Sequence, residues 1–444
     1  MIRFLHTADW QIGKPYLSVE DDQKRFRLQQ ERLQVISRIG EIVQRQAASF
    51  VLVAGDLFDS PTVPTAAVME VMEAIGSLEV PVLVIPGNHD HGAAGSLWYR
   101  PDLRRQQRQR APNLRVLLER QPLELDAVLL LPCPLLRRSD SHDPSAWIRA
   151  LDWSSLPRHK PRIVLAHGGV RGFSGRDYEA EPDSAAGGGN RLDLEQLPEA
   201  EIDYIALGDW HNLRQVSPRA WYSGTPEPDR FDQGVANQRG QVLLVEASRG
   251  GLPEVTIAAT GRLGWHNLAF HFSQDDDLDR FTAQLDTLLD GRVARDLLRL
   301  EVSGSLSLAG HRRYDALIDD LRTQLLRLRL KGQCQQAPEA AELQALTERP
   351  GDPLIAVVAR QLRQRLDQQA AAGAETAATE AAAITRAALC QLYALVETHA
   401  IETSGNRLAD SRIPASRIPG SPNQSGVNPA EPSAEPSVVS PSPT

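Results

Sequence analysis

Between Met1 and about Thr260 the chain repeats one pattern, a short run of Val, Ile, Leu and Phe that stops at a polar residue or a turn. The runs are IRFLHTAD, FVLVAGD, VPVLVIPGNHD, AVLLLPCP, RIVLAHG, DYIALGD and QVLLVEA. Apolar stretches of this length, without polar alternation, read as strands covered on both faces. Helical spacing fills Arg25 to Ala47 and Thr65 to Ser77 between them. Alternating strands and helices predict a layered α/β architecture. In such sheets, ligands and catalytic groups gather at the carboxyl ends of the strands.

Five of these strands run directly into chemistry-bearing residues. In order they are Asp9 with Gln11, Asp56 with Asp59, Asn88 with His89 and Asp90, His167, and Asp209 with His211. Carboxylate and amide oxygens and imidazole nitrogens are what hard or borderline divalent cations accept. One cation would not need so many. Glycines beside Asp56, Asn88, His167 and Asp209 let the chain turn sharply enough for these groups to converge. A lone GDxxD or NHD would more often be a capped turn, so the inference rests on the whole ordered set.

Taken together, these blocks resemble the signature motifs of calcineurin-like metallophosphoesterases, GNHD being the most specific. HTADWQIGKPY, GDLFD and YSGTPEP are further similar to the SbcD-type nuclease subunits of bacterial DNA double-strand-break repair. The resemblance implies a metallophosphoesterase sandwich, two sheets flanked by helices. It implies that Asp9, Gln11, Asp56 and His211 hold one divalent metal and that Asp56, Asn88, His167 and Asp209 hold another, Asp56 bridging. It also places His89 beside the scissile phosphate, with Asp90 orienting it. The family usually has His at positions 11 and 209. Gln11 would have to coordinate through its amide oxygen, whereas Asp209 adds a carboxylate; the oxygen-rich shell tilts the expectation toward Mn or Mg.

The implied activity is hydrolysis of DNA phosphodiester bonds, as exonuclease or endonuclease, by a hydroxide that the metal pair activates. Two other readings stay open. A phosphatase or cyclic-nucleotide phosphodiesterase could use the same core, and a DNA-binding scaffold would result if Gln11 and Asp209 spoil the site. The expected partners are DNA, an SbcC-like coiled-coil ATPase and, left open, a second copy in a homodimer. Arg100, Arg104, Arg105 and Arg108 follow the NHD loop and are candidates for phosphate contact, the plainer reading being a solvated helix face. His6 is read equally as a core-edge histidine or as support for the ligands, and Asp59 as a turn or cap.

Net charge is -9 with a pI near 5.7, so contact with nucleic acid must be local rather than spread over a basic surface. Cys133, Cys334 and Cys390 form no CxxC pair, which indicates neither a disulfide framework nor a thiolate zinc site. His6 and Asp9 interrupt the opening where a secretory leader needs an apolar core, and no run approaches about 18 apolar residues, so no membrane association and a cytoplasmic location are expected.

Four regions are expected. Residues 1–260 form the phosphoesterase domain. Residues 261–332 form a small α/β capping domain that reads as strand, helix Asp277 to Leu289, strand, and helix from about Ala309 to Leu330. Residues 338–402 form a helical segment that either packs on itself or on the ATPase, and 403–444 a disordered Pro/Ser-rich tail. The Gly-rich insert from Arg171 to Asn190 reads as a mobile loop near His167.

Overall fold

The computed structural model describes residues 1–170, 189–231, 238–336, 340–349, 352–371 and scattered positions from 381 to 396. The insert from Arg171, apart from Gly189 and Asn190, and the tail from 403 lie outside the described residues. One compact unit runs from Met1 to Glu342, and a second begins at Leu343.

Two six-stranded sheets carry the first unit. In the first, Ile2–Thr7, Val51–Ala54, Val82–Ile85 and Leu114–Val116 are parallel neighbours, and Gln241–Ala247 and Glu254–Ala259 close one side antiparallel. In the second, Leu129–Cys133, Arg162–His167, Tyr204–Gly208 and Ala220–Tyr222 run parallel, with Leu123–Glu124 and Arg214–Ser217 antiparallel at the edges.

The period-2 alternation of strand side chains sorts these residues into layers. Leu52, Ala54, Leu83 and Ile85 of the first sheet meet Leu130, Ile163, Leu165, Tyr204 and Ala206 of the second, making the central core. The intervening residues Val51, Val53, Val82 and Val84 point the other way and pack under the helices. On the far side of the second sheet, Val164, Ala166, Ile205 and Leu207 do the same under short 3-10 turns. Both faces of every central strand are therefore buried, which is why these strands read as continuous apolar runs. The expected layered α/β sandwich, two sheets flanked by helices, is the observed fold.

Helix Asp22–Gln46 begins where the Asp21 carboxylate accepts from the amides of Gln23 and Lys24 at 2.8 and 3.0 Å. Its inward face, Leu28, Val35, Ile36, Ile39 and Val43, follows the helical repeat and adds two buried arginines, Arg32 and Arg38. Arg38 donates to Glu227 Oε2 at 2.5 Å and to the Thr260 carbonyl at 2.7 Å. Glu227 also receives the amides of Arg262 and Leu263, so this pair anchors the passage into the small sheet.

That sheet contains parallel strands Gly264–Phe272, Asp296–Leu306 and Arg327–Gly332, with Gln335–Gln336 pairing the middle one. Helices Asp277–Leu289 and Leu308–Gln324 pack against Phe272, Leu298, Leu300 and Val302 on one face. The helix expected to reach Leu330 therefore stops at Gln324. From Leu326 the sequence alternates Leu with Arg or Lys, and that period makes a strand with one apolar face. In the second unit, Leu346, near the end of helix Ala340–Thr347, and Ala359, in helix Pro353–Ala371, meet Leu389 and Val396 in a small cluster.

Replacing Glu227 by Ala removes the shorter of the two carboxylate contacts of Arg38, leaving Glu31 at 3.2 Å. Urea unfolding is expected to show a loss of about 1–3 kcal/mol, the cost of leaving a buried donor without its acceptor.

Candidate metal centre

The strand ends of both sheets meet at one edge of the sandwich, and glycines make that approach possible. A Cβ on Gly55 would sit 2.2 Å from His167 Nδ1, one on Gly87 2.1 Å from Asp56 Oδ1, and one on Gly208 1.9 Å from the Ala54 carbonyl. No larger residue fits at these points. The turns are also strained: Asp9, Gln11, Asp56 and Asp209 all have positive φ, between 43° and 98°. Non-glycine residues hold such angles only where their surroundings dictate it. Here the two loops are laced together, Asp9 N to Gly55 O at 3.1 Å, Gln11 N to Asp56 O at 2.9 Å and Ile12 N to Leu57 O at 2.9 Å.

His167 stands at the centre. Its Nδ1 lies 2.7 Å from the Ala54 carbonyl, which requires Nδ1 to carry the proton and turns Nε2 toward the cluster. Around Nε2 lie Asn88 Oδ1 at 2.8 Å, Asp56 Oδ2 at 3.6 Å and Asp209 Oδ1 at 3.7 Å. On the other side, His211 Nε2 lies 3.2 Å from Gln11 Nε2 and 4.0 Å from Asp9 Oδ1. Ligand atoms of Asp9, Asp56 and His167 fall within 4.8 Å of one another. The structure thus brings together all seven residues singled out as metal ligands.

The electrostatics ask for added positive charge. Burial pushes the Asp9 carboxyl well above the usual range; His167 offsets this in part, while Asp56 and Asp209 reinforce it. Burial works against a charged His167, yet Asp56, Asp209 and Asp9 outweigh it and raise its pKa to about 9. Three carboxylates around one imidazole hold whatever cation is offered, a proton or a metal. This charge deficit, together with the oxygen and imidazole donor set, fits divalent metal.

The neighbouring groups depart from the sequence reading at several points. Asp90 does not orient His89: its carboxylate accepts the amides of Gly87 at 2.7 Å and Phe58 at 3.2 Å and so staples two strand-end loops together. Burial and the nearby Asp56 raise the Asp90 pKa to about 7 against those two hydrogen bonds. The partner of His89 Nδ1 is the main-chain oxygen of Asp59, 2.7 Å away, and the His89 amide donates to Asp56 Oδ1 at 2.9 Å. Asp59 therefore serves the centre through its backbone. The basic helix Pro101–Arg110 starts just after the NHD loop, Trp98 donating from Nε1 to the Asp90 carbonyl. Arg100 is committed to Asp102 at 2.5 Å and the Val63 carbonyl at 3.0 Å. Arg104, Arg105 and Arg108 are exposed, Arg104 lying over the Tyr99 ring.

Composition and spacing did not point to the supports supplied by YSGTPEP and the residues just after it. The Tyr222 hydroxyl donates to the Gly168 carbonyl at 2.7 Å, and Thr225 Oγ1 donates to the Asp9 carbonyl at 2.9 Å. Asp229 Oδ2 lies 3.1 Å from His211 Nδ1. Arg230 Nη2, which can only donate, lies 2.9 Å from the same Nδ1, so this nitrogen faces one acceptor and one donor while Nε2 points toward Gln11 and Asp9. Burial, then the Arg230 charge, keep His211 well below its ordinary pKa despite Asp229, so it is a neutral imidazole. The one signal available was an acidic residue shortly after a recognisable motif.

Residues 2–213 match the calcineurin-like phosphoesterase family model. With the sandwich and its edge site, this marks residues 2–213 as a calcineurin-like phosphoesterase domain and the protein as a hydrolase. The chain is similar to SbcD subunits of bacterial nucleases. It is 27% identical over 275 residues to the SbcD subunit of nuclease SbcCD from Bacillus subtilis (strain 168), covering 56% of this chain and 67% of that protein. It is 22% identical over 267 residues to the SbcD subunit of nuclease SbcCD from Staphylococcus epidermidis, covering 55% and 66%. The chain thus spans about two thirds of the length of these relatives. A crystal structure of TT1561 of Thermus thermophilus aligns with a TM-score of 0.35 at 11% identity over 58% of this chain and 99% of that one, a likeness too low to carry an argument.

His6 resolves to the plain reading. Its ring nitrogens lie 2.9 Å from the Tyr204 hydroxyl and 3.2 Å from the Leu207 carbonyl, so neither is offered to a metal. Burial lowers its pKa from 6.5 to about 3, against the hydrogen bond to Leu207. The folded chain keeps His6 neutral where the unfolded chain takes up a proton. Stability is therefore expected to fall as pH drops from about 6.5 toward 3. Urea midpoints measured across that range should show a shallower acid loss in His6→Gln.

Proposed function

We propose that the chain is a metal-dependent phosphodiesterase that hydrolyses DNA, as exonuclease or endonuclease, in DNA repair. The observation that carries this reading is the convergence of Asp9, Asp56, Asn88, His167, Asp209 and His211 from two sheets onto one edge. Asp9, Gln11, Asp56 and His211 would hold one divalent cation and Asp56, Asn88, His167 and Asp209 a second, Mn in preference and Mg as the alternative. Such ions supply Lewis acidity, neutralise phosphate charge and lower the pKa of an attacking water.

The protein's own groups do the rest. Asp59 O fixes the His89 ring through Nδ1, leaving Nε2 to meet a phosphate oxygen and to stabilise or protonate the leaving group. Asp90 holds the loops that carry Asn88 and His89 at the spacing this requires. The exposed Arg104, Arg105 and Arg108 would lie along the DNA backbone, whereas Arg100, tied to Asp102, serves the helix start.

DNA as substrate and an SbcC-like ATPase as partner draw support from the relatives, both of them SbcD subunits of the nuclease SbcCD. No helix among the described residues is long and apolar enough to cross a membrane. A cytoplasmic site of action follows from the DNA-repair reading.

With Mn and linear DNA, wild type should release nucleotides or fragments. Asp56→Ala should be inactive, and His89→Ala reduced by about 10²–10⁴-fold, the range for loss of an acid-base group. Hydrolysis of a small phosphodiester but not of DNA would favour a different phosphoesterase. Changing Arg104, Arg105 and Arg108 together to Ala should weaken DNA binding and flatten the slope of log affinity against log salt by up to about 3; an unchanged slope removes these residues from the interface.

A further inference from the structure

The two halves of the centre differ in what already satisfies their ligands. This inference rests on the metal-dependent reading above. At the Asp56, Asn88, His167 and Asp209 half, His167 Nε2 is ringed by acceptors, with carboxylate oxygens at 3.6 and 3.7 Å and the Asn88 oxygen at 2.8 Å. Such a ring of acceptors takes up a cation, a proton on Nε2 or a metal among the oxygens.

At the other half the ligands meet donors. Gln11 Nε2 lies 3.2 Å from His211 Nε2, and Gln11 Oε1 lies 3.3 Å from Lys14 Nζ. Which end of an amide is nitrogen follows from its partners. Turning Gln11 over would set its NH2 against the Lys14 ammonium, so Lys14 fixes the amide with its nitrogen toward His211. With that NH2 as its neighbour, His211 Nε2 accepts a hydrogen bond through the lone pair a metal would use. The amide oxygen that would have to replace the family's imidazole faces Lys14 instead. Lys14 is itself held, its side chain 12% exposed and its ammonium 3.4 Å from Asp229 Oδ2 and 3.9 Å from Asp59 Oδ1. It is a fixed positive charge on the edge of this half.

We propose that the centre binds its two metals unequally: Asp56, Asn88, His167 and Asp209 hold one divalent cation tightly, whereas Asp9, Gln11 and His211 take a second only weakly, because Gln11 and Lys14 occupy that half with donors. The consequence is a hydrolase that carries one resident metal and recruits the other in exchange with solution.

The test uses the full chain, stripped with a chelator and titrated with MnCl2 in a calorimeter, then desalted for elemental analysis and electron paramagnetic resonance. Wild type should retain one Mn per chain, with the signal of an isolated ion, and bind the second about 10- to 100-fold more weakly. Gln11→His restores an imidazole and Lys14→Met removes the fixed charge; either, with its fold checked by circular dichroism, should strengthen the second site and produce a spin-coupled pair. Two Mn of equal affinity in wild type would overturn the inference while leaving the phosphoesterase reading intact. So would a single retained Mn in both folded variants. Absence of Mn uptake by wild type would instead remove the metal-dependent reading on which the inference stands.

Discussion

The centre depends on how closely two sheets approach at one edge. His167 belongs to the second sheet, yet its Nδ1 bonds to the carbonyl of Ala54 in the first at 2.7 Å. That bond orients the imidazole and ties the sheets together at the point where their strands end. It can form only because Gly55, Gly87 and Gly208 place no side chain in the gap. Elsewhere the sheets are separated by the paired apolar layers built around Phe4, Leu52, Leu165 and Tyr204. The site thus lies where the core thins and the backbone itself becomes the spacer.

From this constraint the surrounding hydrogen bonds take on a common purpose. Asp90 joins the Phe58 and Gly87 amides, Arg32 reaches the Trp10 and Glu227 carbonyls, and Thr225 caps the carbonyl of Asp9. Each links one strand-end loop to another. Charge that the interior would otherwise expel is kept by these networks, with Asp229 set among Lys14, Arg230, Arg239 and His211. The positive φ angles at Asp9, Gln11, Asp56 and Asp209 persist in this setting.

Much of this was legible from the chain. Strands buried on both faces announce themselves as unbroken apolar runs, and ligands at their ends follow the geometry of such sheets. The glycines beside Asp56, Asn88, His167 and Asp209 were a second, independent sign. The partners of those ligands were less visible, for definite reasons. Asp59 orients His89 through a main-chain oxygen, which every residue possesses. Asp90 lies next to His89 in sequence but turns its carboxylate to Gly87 and Phe58, since adjacent side chains on a tight loop diverge. Gln11 could be recognised as a substitute ligand, whereas the direction of its amide is set by Lys14, three residues on, and appears only in space. Arg327 to Leu330, expected to end a helix, belong to strand Arg327–Gly332, and alternation of Leu with Arg and Lys is the deciding feature.

The convergence of residues from both sheets on shared cations can be tested most directly by anomalous diffraction from crystals of the full chain grown with Mn. The expected result is an anomalous peak within bonding distance of Asp56, Asn88, His167 and Asp209. Mn bound elsewhere, with those side chains too far apart to share an ion, would contradict it.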